Sequence, residues 1–125
     1  MSAELEEADH SRAGVHEALT LDRVVHEPAR LAILVVLSSA AEVDFAFLLA
    51  ATGLSKGNLS KQTSKLEEAN YIAIRKYFKG KIPATAYRIT PEGSAAITAY
   101  WERMRLIGDR AQQAVPGANH HARAD

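Results

Sequence analysis

Cysteine is absent from the 125 residues, which excludes disulfides, thiolate metal sites, iron–sulfur clusters and thiol redox chemistry within a single chain. The chain also lacks any run near the roughly 20 apolar residues needed to cross a bilayer, and its acidic N-terminus lacks the basic-then-apolar order of a signal peptide. These absences lead us to expect a soluble, cytoplasmic protein with no membrane contact. Catalytic signatures are missing too: there is no Gly-rich phosphate loop, no His-Glu-x-x-His and no Gly-x-Ser-x-Gly, so an enzyme is the poorest fit. Excess charge is lacking as well, since 15 Lys and Arg balance 15 Asp and Glu.

That balance conceals a separation. Residues 1–27 hold seven carboxylates against Arg12 and Arg23, a net of −5. Residues 56–88 hold Lys56, Lys61, Lys65, Arg75, Lys76, Lys79, Lys81 and Arg88 against Glu67 and Glu68, a net of +6. A polyanion can be steered to one end of such a molecule although its total charge vanishes.

Patterning divides the chain into a polar tail over 1–13, a domain over 14–115 and a second polar tail over 116–125, the tails being expected to be mobile. Leu21, Val24 and Val25 have helical spacing, predicting a first helix from Gly14 to His26. Pro28 suits the opening turn of a second helix to Ser38, apolar nearly all round and hence expected at the centre of the core. Asp44 is placed to cap a third helix through Phe45, Phe47, Leu48 and Leu49, with Val43 and Leu48 as a hydrophobic staple. Gly53 ends that helix and Ser55 caps another two residues later, which is a helix-turn-helix pattern.

The fourth helix, Lys56 to Asn70, turns Leu59, Thr63 and Leu66 inward and Gly57, Ser60, Lys61, Ser64 and Glu68 outward, with Asn58 and Lys65 on the flank. Alternation over Tyr71–Phe78 and again over Ala84–Ile89, around Lys79-Gly80-Lys81-Ile82-Pro83, predicts a hairpin with a basic tip. Thr90-Pro91-Glu92 opens a long last helix whose stripe of Ile97, Tyr100, Met104, Ile107, Ala111 and Ala114 needs a partner surface.

Helix, helix, helix-turn-helix, hairpin, helix is the order of a winged helix: mainly α with a small β-hairpin (α+β), carrying a long terminal dimerisation helix. Four segments bear a resemblance to a known family: residues 26–34 (HEPARLAIL), 52–60 (TGLSKGNLS), 65–72 (KLEEANYI) and 88–93 (RITPEG). Together they resemble the MarR/ArsR-type winged helix-turn-helix transcriptional regulators, in particular a short MarR-like DNA-binding branch, over about residues 20–105. The resemblance implies that the second helix of the helix-turn-helix enters the major groove, that the wing touches the flanking backbone, and that the terminal helices form a homodimer through Ile97, Tyr100, Trp101, Met104, Ile107 and Ala111. Asn70 stands where many relatives have glycine, and asparagine tolerates the left-handed conformation required there.

The chemistry of the residues agrees with double-stranded DNA as partner. Ser55, Lys56, Asn58, Ser60, Lys61, Ser64 and Lys65 can donate to phosphates and base edges, and Gly57 lets the start of the helix approach closely. Lys79 and Lys81 of the wing neutralise phosphates without reading sequence. Two other readings remain: a winged helix serving as a protein-interaction module, suggested by zero net charge, and a sensor whose small-molecule effector lies near Tyr100 and Trp101. No cofactor is expected. The five histidines lack ligand spacing and Asp109 is followed by Arg110-Ala111 rather than x-His, so no metal site is expected.

Overall fold

The computed structural model describes residues 14–114, so the tails expected at 1–13 and 116–125 lie outside the described residues. In chain order it contains α1 (Val15–Leu19), α2 (Pro28–Ser38), β1 (Val43–Asp44), α3 (Phe45–Thr52), α4 (Lys56–Glu68), β2 (Ile72–Lys79), β3 (Ile82–Ile89) and α5 (Pro91–Ala114). Contacts divide the described residues into two units, one spanning Asp22–Thr98 and the other joining residues 14–21 with residues 99–114.

Within residues 22–98 the core forms around α2, which touches α3, α4 and β3. Ile33, Leu34 and Leu37 of α2 are fully buried, as are Val25, Leu48 of α3, and Leu59 and Leu66 of α4. Each such side chain stabilises the fold by about 2 kcal/mol relative to exposure. The helix is less enclosed than its composition suggests, because Val35 lies on the edge those elements leave open and is 46% exposed. Pro28 occupies the first turn as expected, and the cap before it is Glu27, whose carboxylate accepts the Arg30 N–H at 2.8 Å.

The helix-turn-helix has its expected joints. Asp44 accepts the Phe47 N–H at 2.8 Å and Ser55 accepts that of Asn58 at 3.2 Å. Between α3 and α4, Gly53 has φ 70°, a left-handed conformation that a β-carbon would strain. Helix α4 ends two residues before the expected Asn70. Asn70 has φ 62°, its N–H bonds to Glu67 O, and the Tyr71 N–H bonds to Leu66 O. These two bonds are a Schellman closure with asparagine in the left-handed place.

The sheet has the order β1-β3-β2, all antiparallel. Strand β1 is an addition to the expected hairpin: Val43 and Asp44 pair with Tyr87 and Ala86, and two residues are too few to show alternation. The strands also run nearer the tip than expected, since Lys79 pairs with Ile82 and Phe78 with Pro83, leaving a two-residue Gly80-Lys81 turn. Pro83 is tolerated because β1 reaches only Ala86 and Tyr87, so the outer edge of β3 beside Pro83 is open and a missing N–H costs nothing.

The single first helix expected over Gly14–His26 is corrected. Helix α1 stops at Leu19, and Asp22 Oδ1 accepts the N–H groups of Val24 at 2.8 Å and Val25 at 3.2 Å. An aspartate that bonds its neighbours' backbone in this way competes with helix formation, and the apolar spacing of Leu21, Val24 and Val25 serves a buried turn instead. In the other unit, Arg110 pairs with Glu17, Arg103 bonds the Thr20 hydroxyl, and the rings of Tyr100 and Trp101 meet edge-on at 5.3 Å.

Candidate nucleic-acid interface

Helix α4 is divided sharply between its two sides. Leu59, Gln62, Thr63 and Leu66 are buried, while Ser55, Lys56, Gly57, Ser60, Lys61, Ser64 and Lys65 are exposed and Asn58 is half-buried. All eight candidate residues of this segment therefore belong to one accessible side and its flank. The space a β-carbon would occupy at Gly57 is open, so a ligand can approach the backbone at the helix start. Thr63 is held inward by donating to Leu59 O at 2.9 Å, an arrangement that leaves no polar group orphaned.

At the wing, Lys79 ends β2 and Lys81 lies in the turn, both exposed. Strand register explains which other residues share the interface. Ile74 lies opposite Tyr87 and Lys76 opposite Thr85 on one face of the hairpin. With Ser60, Ser64 and Glu67 of α4, these side chains border an open cleft of about 680 Å³ between α4 and the hairpin. Lys76 was legible only as part of the positive segment, although its alternation with Ile74 could have placed it. The tip is also more apolar than its lysines suggest, with Phe78 69% and Ile82 70% exposed.

Charge pairing separates the cations of residues 56–88. Arg75 is occupied: it pairs with Glu42 at 2.7 Å and lies over the Tyr77 ring at 4.4 Å. The hydrogen bond from Arg75 holds the Glu42 carboxyl below its usual range. Among the described residues, Lys56, Lys61, Lys65, Lys76, Lys79, Lys81 and Arg88 form no ion pair. Behind this surface the Tyr87 phenol is raised, chiefly by burial and then by the Glu67 carboxylate. The Tyr71 phenol, bonded to Asp22, is pushed up to about 12.

The residues expected at a dimer interface have mixed exposure. Ile97 and Tyr100 are each 5% exposed, Ile107 is half-buried, and Trp101, Met104 and Ala111 are exposed. Among the described residues, no three acidic or histidine side chains gather to hold a metal ion, and no helix is long and apolar enough to cross a membrane.

Comparison with known proteins places this geometry. Residues 29–107 match the family described as winged helix DNA-binding domain. The fold is similar to a transcriptional regulator homologue from Pyrococcus horikoshii, with TM-score 0.71 and 20% identity over 79% of this chain and 97% of the other. It is also similar to the transcriptional repressor BigR from Xylella fastidiosa, with TM-score 0.56 and 23% identity over 82% and 95% of the two chains. A MarR-family regulator from Porphyromonas gingivalis aligns with TM-score 0.57 and 19% identity over 66% and 80%. No curated protein matches the sequence. The matched family spans the helix-turn-helix, the wing and most of α5, and the chain therefore belongs to the winged helix DNA-binding domain family, with a fold like that of the MarR-family protein.

Proposed function

We propose that the chain is a sequence-specific regulator acting in the cytoplasm as a homodimer on double-stranded DNA, with residues 14–115 serving as one DNA-binding and dimerisation domain. The observation that carries this reading is the exposed side of α4, where Lys56, Lys61 and Lys65 stand among serines with no ion pair among the described residues while the opposite side is buried. A helix fits the major groove, and its first turns bring base-contacting side chains closest to the base edges.

In this arrangement Asn58, Ser60, Lys61 and Ser64 contact bases, while Ser55, Lys56, Gly57 and Lys65 hold phosphates with side chains and free backbone N–H groups. Lys79 and Lys81 follow the flanking backbone, and Lys76 reaches into the cleft between helix and wing. The second copy packs against exposed Trp101, Met104 and Ala111 of α5, with Ile107 at the edge and with Ile97 and Tyr100 as buried support. A two-fold pair would present its recognition helices about 34 to 36 Å apart, one turn of DNA, and require a pseudo-palindromic site.

The test is fluorescence anisotropy with the duplex upstream of the chain's own gene and a scrambled control, at low and moderate salt. Preferential, salt-sensitive binding of the upstream duplex is expected. Absence of binding to either duplex at low salt would overturn the proposal in favour of a protein-interaction module.

A further inference from the structure

Asn58 is held by a directed chain of hydrogen bonds that starts on another helix. Arg30 of α2 donates from Nη1 to Gln62 Oε1 at 2.8 Å, and Gln62 donates from Nε2 to Asn58 Oδ1 at 3.0 Å. A guanidinium has only donors, so Gln62 must turn its oxygen toward Arg30 and its NH₂ away. That NH₂ accepts nothing, so Asn58 must meet it with Oδ1 and present its own Nδ2 elsewhere. A side-chain amide is otherwise free to invert, and here an arginine 32 residues away from Gln62 decides the orientation.

The chain is firmly anchored. Arg30 also donates from Nε to Val24 O at 2.6 Å and from Nη2 to Arg23 O at 3.2 Å, and it pairs with Glu27 at 3.8 Å. Gln62 is 7% exposed, so inverting its amide would leave buried donors and acceptors mismatched at both ends. Asn58 itself is half-buried in the first turn of α4, three residues after the Ser55 cap.

We propose, resting on the reading of α4 as the recognition helix, that the Arg30–Gln62 relay makes Asn58 a dedicated hydrogen-bond donor that selects guanine in the major groove. An unrestrained asparagine pairs with adenine through N6 and N7 together, using its oxygen and its nitrogen at once. With Oδ1 engaged toward Gln62, that two-point pairing is disfavoured and the Nδ2 donor remains. Guanine presents two acceptors to that donor, N7 and O6, whereas adenine and thymine each present one, beside an N6 donor or a methyl group, and cytosine presents an N4 donor that would oppose it. Arg30 and Gln62 are positioning residues, and Asn58 makes the contact.

Selection from a randomised duplex pool supplies the best-bound duplex, and each of its base pairs is then replaced in turn and measured by anisotropy. The unsubstituted protein is expected to prefer guanine over cytosine at one position by about tenfold to a hundredfold. Asn58→Ala loses that preference at that position alone. Gln62→Met, which keeps the buried volume but ends the relay, reduces it to a few-fold and leaves the other positions unchanged. Gln62→Glu keeps the Arg30 bond but offers Asn58 an acceptor, so Oδ1 turns outward and the preference moves toward a base with an exocyclic amine. Melting curves identify any variant that fails to fold, and either Gln62 variant alone decides the question. Unchanged guanine preference in a folded Gln62 variant would overturn the relay alone. Failure of any selective duplex to emerge would overturn the proposed function and the relay with it.

Discussion

Helix α4 and the part of α5 beyond Ala99 are both half-exposed, and they treat charge in opposite ways. On α5, Arg105 sits between Glu102 at 2.7 Å and Asp109 at 2.9 Å, so its exposed cation is met by carboxylates one turn away on either side. Large apolar groups remain exposed beside them, with Trp101 at 49% and Met104 at 37%. On α4 the exposed side has no large apolar group, and its three lysines form no ion pair among the described residues. A surface that neutralises its own charge and retains apolar area suits another protein surface. One that leaves cations open suits a polyanion.

The strongest way to break this comparison is to reverse the sign of α4. Lys61→Glu with Lys65→Glu in each subunit of a dimer reverses four charges, and we expect duplex affinity to fall about a thousandfold at moderate salt with the melting temperature unchanged. Anisotropy and a thermal melt check both halves. Retained affinity would remove α4 from the interface.

The second largest effect is expected at Gly93, where the first turn of α5 meets Tyr71, the residue before β2. A β-carbon there would lie 2.0 Å from the Tyr71 carbonyl oxygen, a backbone atom that cannot move aside cheaply because it accepts the Thr90 N–H at 3.1 Å. Gly93→Ala is expected to cost about 3 kcal/mol in a denaturant titration, at the upper end for overpacking. A cost below about 1 kcal/mol would mean that the junction yields.

The elements and caps were legible because each depends on a few adjacent residues. Asp44, Ser55 and Thr90 announced three helix starts, and Asn70 was recognised as a left-handed position. What escaped was set by distant partners or by short length. Strand β1 is two residues long, Asp22 diverted an apolar spacing from helix into turn, and Arg30 and Gln62 are brought together only by the packing of α2 on α4. At the candidate site the positive face was legible from the wheel, whereas nothing in the sequence singled out Gln62. Its burial depends on what α2 places above it. The turn was placed three residues too wide, at five residues where Gly80 and Lys81 suffice.

The apolar side of the comparison is sharpened on α5. Trp101→Glu with Met104→Glu should weaken self-association about thirtyfold or more, as expected of central interface residues. Sedimentation velocity over a concentration series measures this, and Trp101, the only tryptophan, reports the same event by fluorescence. An unchanged association constant would move the dimer contact away from this face. Duplex affinity should fall with dimerisation, because a single recognition helix then meets only half of its site.

The smallest effect lies beside the cationic side of α4, at Glu27. Burial pushes its carboxyl up, but the backbone N–H groups of Arg30 and Ala29, with the Arg30 and Lys65 charges, outweigh this and hold it below the ordinary 4.5. Because the folded state holds this proton more weakly than the unfolded chain, stability from Glu27 is complete above the unfolded value and fades as pH falls through the lower folded one. Glu27→Gln keeps an oxygen for the Arg30 N–H without the charge. It is expected to cost about 1 kcal/mol at neutral pH, a typical loss for a helix cap, and to flatten the decline in stability on acidification. The same substitution removes a carboxylate whose field reaches Lys65, so duplex affinity should rise a few-fold at low salt and the gain should shrink as salt is added. Denaturant titrations at neutral and acid pH test the first outcome and salt-dependent anisotropy the second. A normal acid limb would assign the acid sensitivity to another carboxylate such as Glu42. Unchanged affinity would mean that Lys65 does not face a phosphate, and the open cationic side of α4 would then end at Lys61.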